Sequence, residues 1–332
     1  MEILFYSIIL LTNYLSLKLY IKIAKKNNIV ALGNNKNLHS GKIPRGAGII
    51  FGVTYIVLIT FAYFQKHISF EHFLPISISS IFCLILGFWD DIKDLGITIK
   101  MFGQLFIVTN LIYLVYGFSI FNHGYVLDYV FNFFIIFAVL WMLNAYNFLD
   151  GSDGHLGTVA SMQCLLVGIL MYISNQFDLI WPVFLLFLVM MVFLIFNWSP
   201  ALVFMGDSGS LFIGINMITF TLISYKLSIL TPYSIFIILS YFFIDTFGTL
   251  ILRVCVNKSW KQRHRSHPYQ NFSRIYSHQK TSMLVIIYHL IWLLPLLILV
   301  VSFPDYALIF CVISIFPTFF FLIKYGPLFS SD

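Results

Sequence analysis

The sequence predicts an all-α, polytopic integral membrane protein. Three observations carry that reading. Of 332 residues, 60% are apolar and 10% charged, whereas soluble domains have roughly 45–50% and 25%. Mean hydropathy is +0.92. The apolar residues also fall in continuous runs long enough for an α-helix to cross a bilayer, not in the alternating pattern of a membrane barrel. There is too little polar surface to cover a water-soluble globule, and so apolar a chain is not disordered.

Taken in order, the runs lie near 2–22, 47–64, 74–89, 102–118, 128–148, 157–174, 179–196, 209–225, 233–253, 283–301 and 306–323. They predict about 11 transmembrane helices in a single integral membrane domain, 1–332. The first run lacks a basic leader and a small-residue cleavage site, so it reads as a span and not as a signal peptide. A Pro-Gly segment precedes the second, and a cluster of acids ends the third. Glycines turn the fifth into the sixth, and Gly206 and Gly209 open the eighth. The longest basic loop separates the ninth from the tenth. Short polar loops near 22–46, 89–101, 148–157, 197–208 and 254–282 lie on one side.

Charge predicts the orientation. That side collects 16 of the 19 Lys and Arg residues; Lys66 and Lys226 lie on the other and Lys18 within the first run. The positive-inside rule makes the basic side cytoplasmic, the N-terminus external and the C-terminus cytoplasmic. The net charge of +6 is then a sorting signal, with no nucleic-acid partner implied. Cys83, Cys164, Cys255 and Cys311 read as buried structural thiols. Against the sorting rule, Asp90, Asp91, Asp94, Asp150, Asp153 and Asp207 gather on the same basic side, in three short loops. Acids clustered at membrane level point to a site.

Five stretches can carry its chemistry. In GFWDDIKDL (87–95), Asp90 and Asp94 share a helical face. Three carboxylates this close repel unless a cation, a base or a proton relieves them. The stretch suits Mg²⁺–diphosphate binding or base catalysis; the plainer alternative is a solvated loop. In NAYNFLDGSDG (144–154), Asn144, Asn147 and Asp150 recur at intervals of three, one stripe of hard oxygen ligands suited to Mg²⁺. In FMGDSGS (204–210), Asp207 or Ser208 can cap a helix whose N-terminus faces an anion, and Asp207 can hold a bridging metal. In RHRSHPYQ (263–270), Arg and His donors suit phosphate or sugar oxygens, or serve only as topogenic charge. In HSGKIPRGAG (39–48), Lys42 and Arg45 can face an anionic substrate or lipid head groups. Asp245 is the one acid deep within a span.

Together, in this order and on one side, these stretches resemble the polyprenyl-phosphate N-acetylhexosamine-1-phosphate transferases, membrane glycosyltransferase family 4, over roughly residues 36–280. The resemblance implies transfer of an N-acetylaminosugar-1-phosphate from a UDP-sugar to undecaprenyl phosphate, with release of UMP. That is the first membrane step of a cell-surface polysaccharide, in a bacterial inner membrane with the site facing the cytoplasm. It implies Asp90, Asp91 and Asp150 as catalytic residues, and Asp207 and Asn147 on Mg²⁺ or Mn²⁺. It implies His264 and His267 near the nucleotide-sugar; Lys42, Arg45, Asp94, Asn144, Asp153 and Arg265 are expected, from their place in these stretches, to bind substrate as well, and a homodimer is left open. The peptidoglycan branch carries three consecutive histidines and a basic residue where this chain has HRSHPYQ and Asp94. Those departures resemble the O-antigen branch that transfers 6-deoxy-N-acetylhexosamine phosphates. The competing readings are a UbiA-like intramembrane prenyltransferase, which should carry two DDxxD-like motifs, and a cation-coupled transporter, whose acids should lie at the bilayer midplane.

Overall fold

In a computed structural model, residues 2–26, 30–31, 43–117, 125–256 and 266–328 are described. Twelve helices account for nearly all of them. They are α1 (Glu2–Lys26), α2 (Gly48–Phe64), α3 (Phe70–Lys93), α4 (Ile97–Tyr116), α5 (Tyr125–Phe148) and α6 (His155–Ile173). They continue as α7 (Phe177–Asn197), α8 (Gly206–Lys226), α9 (Pro232–Cys255), α10 (Pro268–Ile275), α11 (His278–Ser302) and α12 (Ala307–Tyr325). The only strands among the described residues, β1 (Val30–Ala31) and β2 (Ile43–Pro44), pair antiparallel.

Among the described residues, ten helices are long and apolar enough to cross a membrane; α2, also apolar, is shorter at 17 residues. The expected all-α polytopic class holds, and each of the eleven expected spans has its helix. Helices are the form in which a lipid-embedded chain satisfies its own backbone polar groups. Two spans depart from regular α-helix. α9 contains a π-helical turn at Ile244–Gly248 and α11 another at Tyr288–Leu293; such turns recur at functional positions.

α8 is the axis of the bundle. Its most apolar 18-residue window is 83% buried, against 17% for the peripheral α1. α3 lies along it, and small or polar residues line the seam: Ser80 donates to Asn216 at 3.1 Å, and Ser79 meets Thr219 at 3.4 Å. With no hydrophobic drive between helices in lipid, close approach and interhelical hydrogen bonds take its place. Cys83, Cys164 and Cys311 are buried as expected, whereas Cys255 is exposed. It ends α9, and its apolar setting in the sequence did not mean burial.

Candidate active site

The site forms where α2, α3 and α8 converge. The backbone of the PRGAG stretch zips against FMGDSGS: Phe204 N–H donates to Pro44 O at 2.8 Å, Ala47 N–H to Phe204 O at 3.1 Å, and Gly48 N–H to Met205 O at 2.9 Å. Glycine is required at this closeness. A Cβ on Gly48 would lie 2.1 Å from Gly209 N, and one on Gly87 2.5 Å from the Asp207 carbonyl. Gly206, at φ +73°, adopts a conformation that residues with a Cβ avoid, and a Cβ there would sit 2.6 Å from both Asp91 carboxylate oxygens.

That geometry seats Asp91 on the N-terminus of α8. Its Oδ1 accepts from Asp207 N–H at 3.0 Å, and its Oδ2 from Ser208 N–H at 3.0 Å and from the Ser208 hydroxyl at 2.7 Å. The expected cap from Asp207 or Ser208 is not what forms. The carboxylate satisfying those amides comes from α3, 116 residues earlier. Arg45, exposed, donates to the Asp91 carbonyl at 2.8 Å.

Asp90, adjacent, is 3% exposed. Its Oδ1 accepts from Leu95 N–H at 2.8 Å, and its other oxygen is ion-paired with Lys100 of α4. The same ammonium lies 3.6 Å from Asp207 Oδ2. Lys100 is the functional candidate that sequence reasoning missed: a lone lysine following a loop on the basic side reads as one more sorting charge. Asn147 accepts from Ser210 of α8 at 3.1 Å. Asp150 stands just past the end of α5. Burial, together with the negative charges of Asp207, Asp91 and Asp153, holds its carboxyl well above the ordinary carboxylate range.

Thus Asp90, Asp91, Asp150, Asp207, Asn147 and Lys100 are brought together, and Arg45 touches their edge. The other expected residues are placed elsewhere. Asp94, exposed, ends α3 in a left-handed conformation at φ 48°. Asn144 exchanges hydrogen bonds with Gln104 of α4, at 2.8 and 3.2 Å. Asp153 Oδ2 accepts from Ala201 N–H at 3.1 Å, tying the DGSDG turn to the segment after α7. His267 is buried against Asp245 of α9, at 3.0 Å. Lys42, His264 and Arg265 lie outside the described residues.

The DGSDG turn is itself a hub. The Tyr269 hydroxyl donates to Phe148 O at 2.6 Å. Gly151 admits that ring, since a Cβ would lie 2.3 Å from the hydroxyl. Burial, with Asp245 and Asp150 nearby, holds the phenol well above its ordinary range, so it remains a donor. His278 of α11 meets the Ser152 hydroxyl at 2.7 Å.

A divalent cation suits this chemistry. The donors are hard oxygens, and among the described residues two of the four neighbouring carboxylates, Asp90 and Asp207, share the Lys100 ammonium. No three acids, histidines or cysteines among the described residues already stand in metal-binding geometry. The residues fit a cation completed by substrate oxygens better than one caged by protein alone.

Residues 73–225 match the family model for glycosyl transferase family 4. The chain is 32% identical over 192 residues to the phospho-N-acetylmuramoyl-pentapeptide-transferase of Listeria innocua serovar 6a, covering 53% of this chain and 59% of that protein. It is 34% identical over 144 residues to the protein of the same name from Streptococcus agalactiae serotype Ia, covering 39% and 43%. The chain thus aligns with about half the length of the curated relatives it matches. The matched segment is the one that carries DDIKD, NAYNFLDGSDG and FMGDSGS, in line with what the resemblance implied. The named relatives are muramoyl-pentapeptide transferases, not the O-antigen type that the sequence departures suggested.

Proposed function

We propose that this protein is a membrane sugar-1-phosphate transferase. It moves an N-acetylaminosugar-1-phosphate from a UDP-sugar to a polyprenyl phosphate and releases UMP, on the cytoplasmic side of a bacterial membrane. The observation that carries this reading is the meeting of Asp90, Asp207, Asp150 and Lys100 at the N-terminus of α8. Phosphate-rich substrates need such a place: a positive helix end, a lysine, and carboxylates able to share a cation. One substrate is a lipid and the other is soluble, so the reaction belongs at the ends of spans, where these residues are.

In this reading Asp207, with Asn147 and Asp150, holds Mg²⁺ or Mn²⁺, which supplies charge neutralisation across the donor diphosphate when bound. Lys100 holds the phosphate of the polyprenyl acceptor. Asp90 orients that phosphate, or takes its proton, so that its oxygen attacks the sugar-bearing phosphorus. One phosphoanhydride breaks as another forms, and positioning supplies most of the catalysis. Asp91, engaged by three donors of α8, acts by holding the helix end in place. Residues of the 261–274 segment take the donor.

The muramoyl-pentapeptide names of the relatives favour a peptidoglycan donor, whereas HRSHPYQ and Asp94 favour a 6-deoxy-N-acetylhexosamine. Purified protein given polyprenyl phosphate, Mg²⁺ and a panel of UDP-N-acetylsugars, including UDP-MurNAc-pentapeptide, decides both questions. UMP and a lipid-diphosphate-sugar of matching mass are expected from one donor class. Prenyl transfer from a polyprenyl diphosphate with no UMP would overturn the reading.

A further inference from the structure

Asp245 is unexplained by the reaction just described. It is 3% exposed within a membrane-spanning helix, where a carboxylate is costly unless it has a defined partner. Among the described residues, its carboxylate partners lie just after the basic loop. Oδ2 lies 3.0 Å from His267 Nδ1, and the Asp245 carbonyl lies 3.2 Å from the same nitrogen. Oδ1 accepts from Tyr269 N–H at 3.3 Å. Two turns further along α9, Arg253 donates to the Ser266 hydroxyl at 2.7 Å. The π turn at Ile244–Gly248 places Asp245 for this, and the Thr249 hydroxyl also donates to its carbonyl.

Both oxygens facing His267 Nδ1 are acceptors, so that nitrogen carries a proton. In that form Nε2 is an acceptor in the neutral ring and a donor in the imidazolium. His267 lies beside Phe148, with ring centroids 6.3 Å apart. Phe148 in turn takes the Tyr269 hydroxyl on its carbonyl, two residues before Asp150. Asp245 thus governs, from inside the membrane, both the protonation pattern of His267 and the path of the backbone that joins the basic loop to the acid cluster.

We propose that Asp245 is a positioning residue for the nucleotide-sugar: it holds His267 in its Nδ1-protonated form and docks Ser266–Tyr269 against the end of α5, beside the acid cluster, where the uridine diphosphate is taken. This rests on the donor reading of the 261–274 segment. It makes no demand on the polyprenyl side of the site.

The test uses the full-length protein, with wild type, Asp245→Asn, His267→Asn and the double variant. The asparagine at 267 keeps a donor near the place of Nδ1 while removing Nε2. UMP binding is measured by calorimetry, the Michaelis constants for UDP-sugar and polyprenyl phosphate are measured separately, and melting temperature is followed. Losing a charge-assisted hydrogen bond is worth roughly tenfold to a hundredfold in affinity, so UMP binding and the donor constant should weaken by about that much in Asp245→Asn. The acceptor constant should stay at its wild-type value, and the double variant should be no worse than His267→Asn alone. If Asp245→Asn only lowers melting temperature, or weakens both constants together, Asp245 is a structural tether and the proposal fails. If the wild type itself neither binds UMP nor releases it from any UDP-sugar, the reaction reading fails and the positioning role falls with it.

Discussion

The two ends of α3 hold acids on opposite terms. At its first turn Glu71 accepts from Lys226 at 2.9 Å, and the neighbouring His72 meets Asp178 at 2.7 Å. Close by, His67 meets Glu2 at 3.0 Å and stacks on Trp181. Each acid there has a lysine or histidine partner from a distant part of the chain. At the last turn, 20 or so residues on, Asp90 and Asp91 meet Asp207 and Asp150, and Lys100 is the one ammonium ion-paired with them among the described residues. The first end is paired and ties helices together. The second, among the described residues, has more acids than ion-paired bases, held in place by glycines that cannot be enlarged. Unbalanced charge that is expensive to keep is the mark of a site completed by a ligand.

Substitutions should separate the two ends. The largest effect is expected from Asp90→Asn or Lys100→Met. Removing one preorganised charge from the reacting centre costs about 10²–10³-fold in rate, so UMP release should fall at least that far. Next, Gly206→Ala puts a methyl group into the Asp91 carboxylate. Overpacking of this kind costs about 1–3 kcal/mol, and both melting temperature and activity should drop.

A third change, Asp150→Asn, should raise stability in metal-free buffer while reducing activity. A carboxyl that folding makes less acidic keeps its proton where the unfolded chain has already lost it. Folding is therefore opposed increasingly as pH rises from about 4 toward the folded value. The advantage of the variant in melting temperature should widen with pH over that window. The smallest effect is expected at the paired end: Glu71→Gln removes an exposed pair worth about 0–1 kcal/mol, and UMP release should be unchanged.

The spans were legible because lipid imposes a length and an apolar character that any reader of the sequence can measure. Even α2, at 17 residues, stood out by its run. The acid-bearing stretches were legible for the converse reason, since acids on the basic side contradict sorting. What stayed hidden depends on contacts distant in sequence. Nothing near Asp91 says that it will cap a helix 116 residues later. Lys100 resembles a topogenic lysine until Asp90 and Asp207 are seen around it. The i, i+3 spacing of Asn144 and Asn147 suggested one ligand stripe, yet Gln104 takes the first and Ser210 donates to the second. Asp245 finds its partner 22 residues further on, across the basic loop.

UMP release by wild type, Asp207→Asn and Asp178→Asn, measured side by side with polyprenyl phosphate, Mg²⁺ and the active UDP-sugar, tests the contrast between the two ends most directly. Asp207→Asn should abolish release and Asp178→Asn should leave it within about twofold of wild type, as expected for a loss of at most a few tenths of a kcal/mol. Full Mg²⁺-dependent release by Asp207→Asn, or equal loss in both variants, would contradict the assignment of the site to the α8 N-terminus.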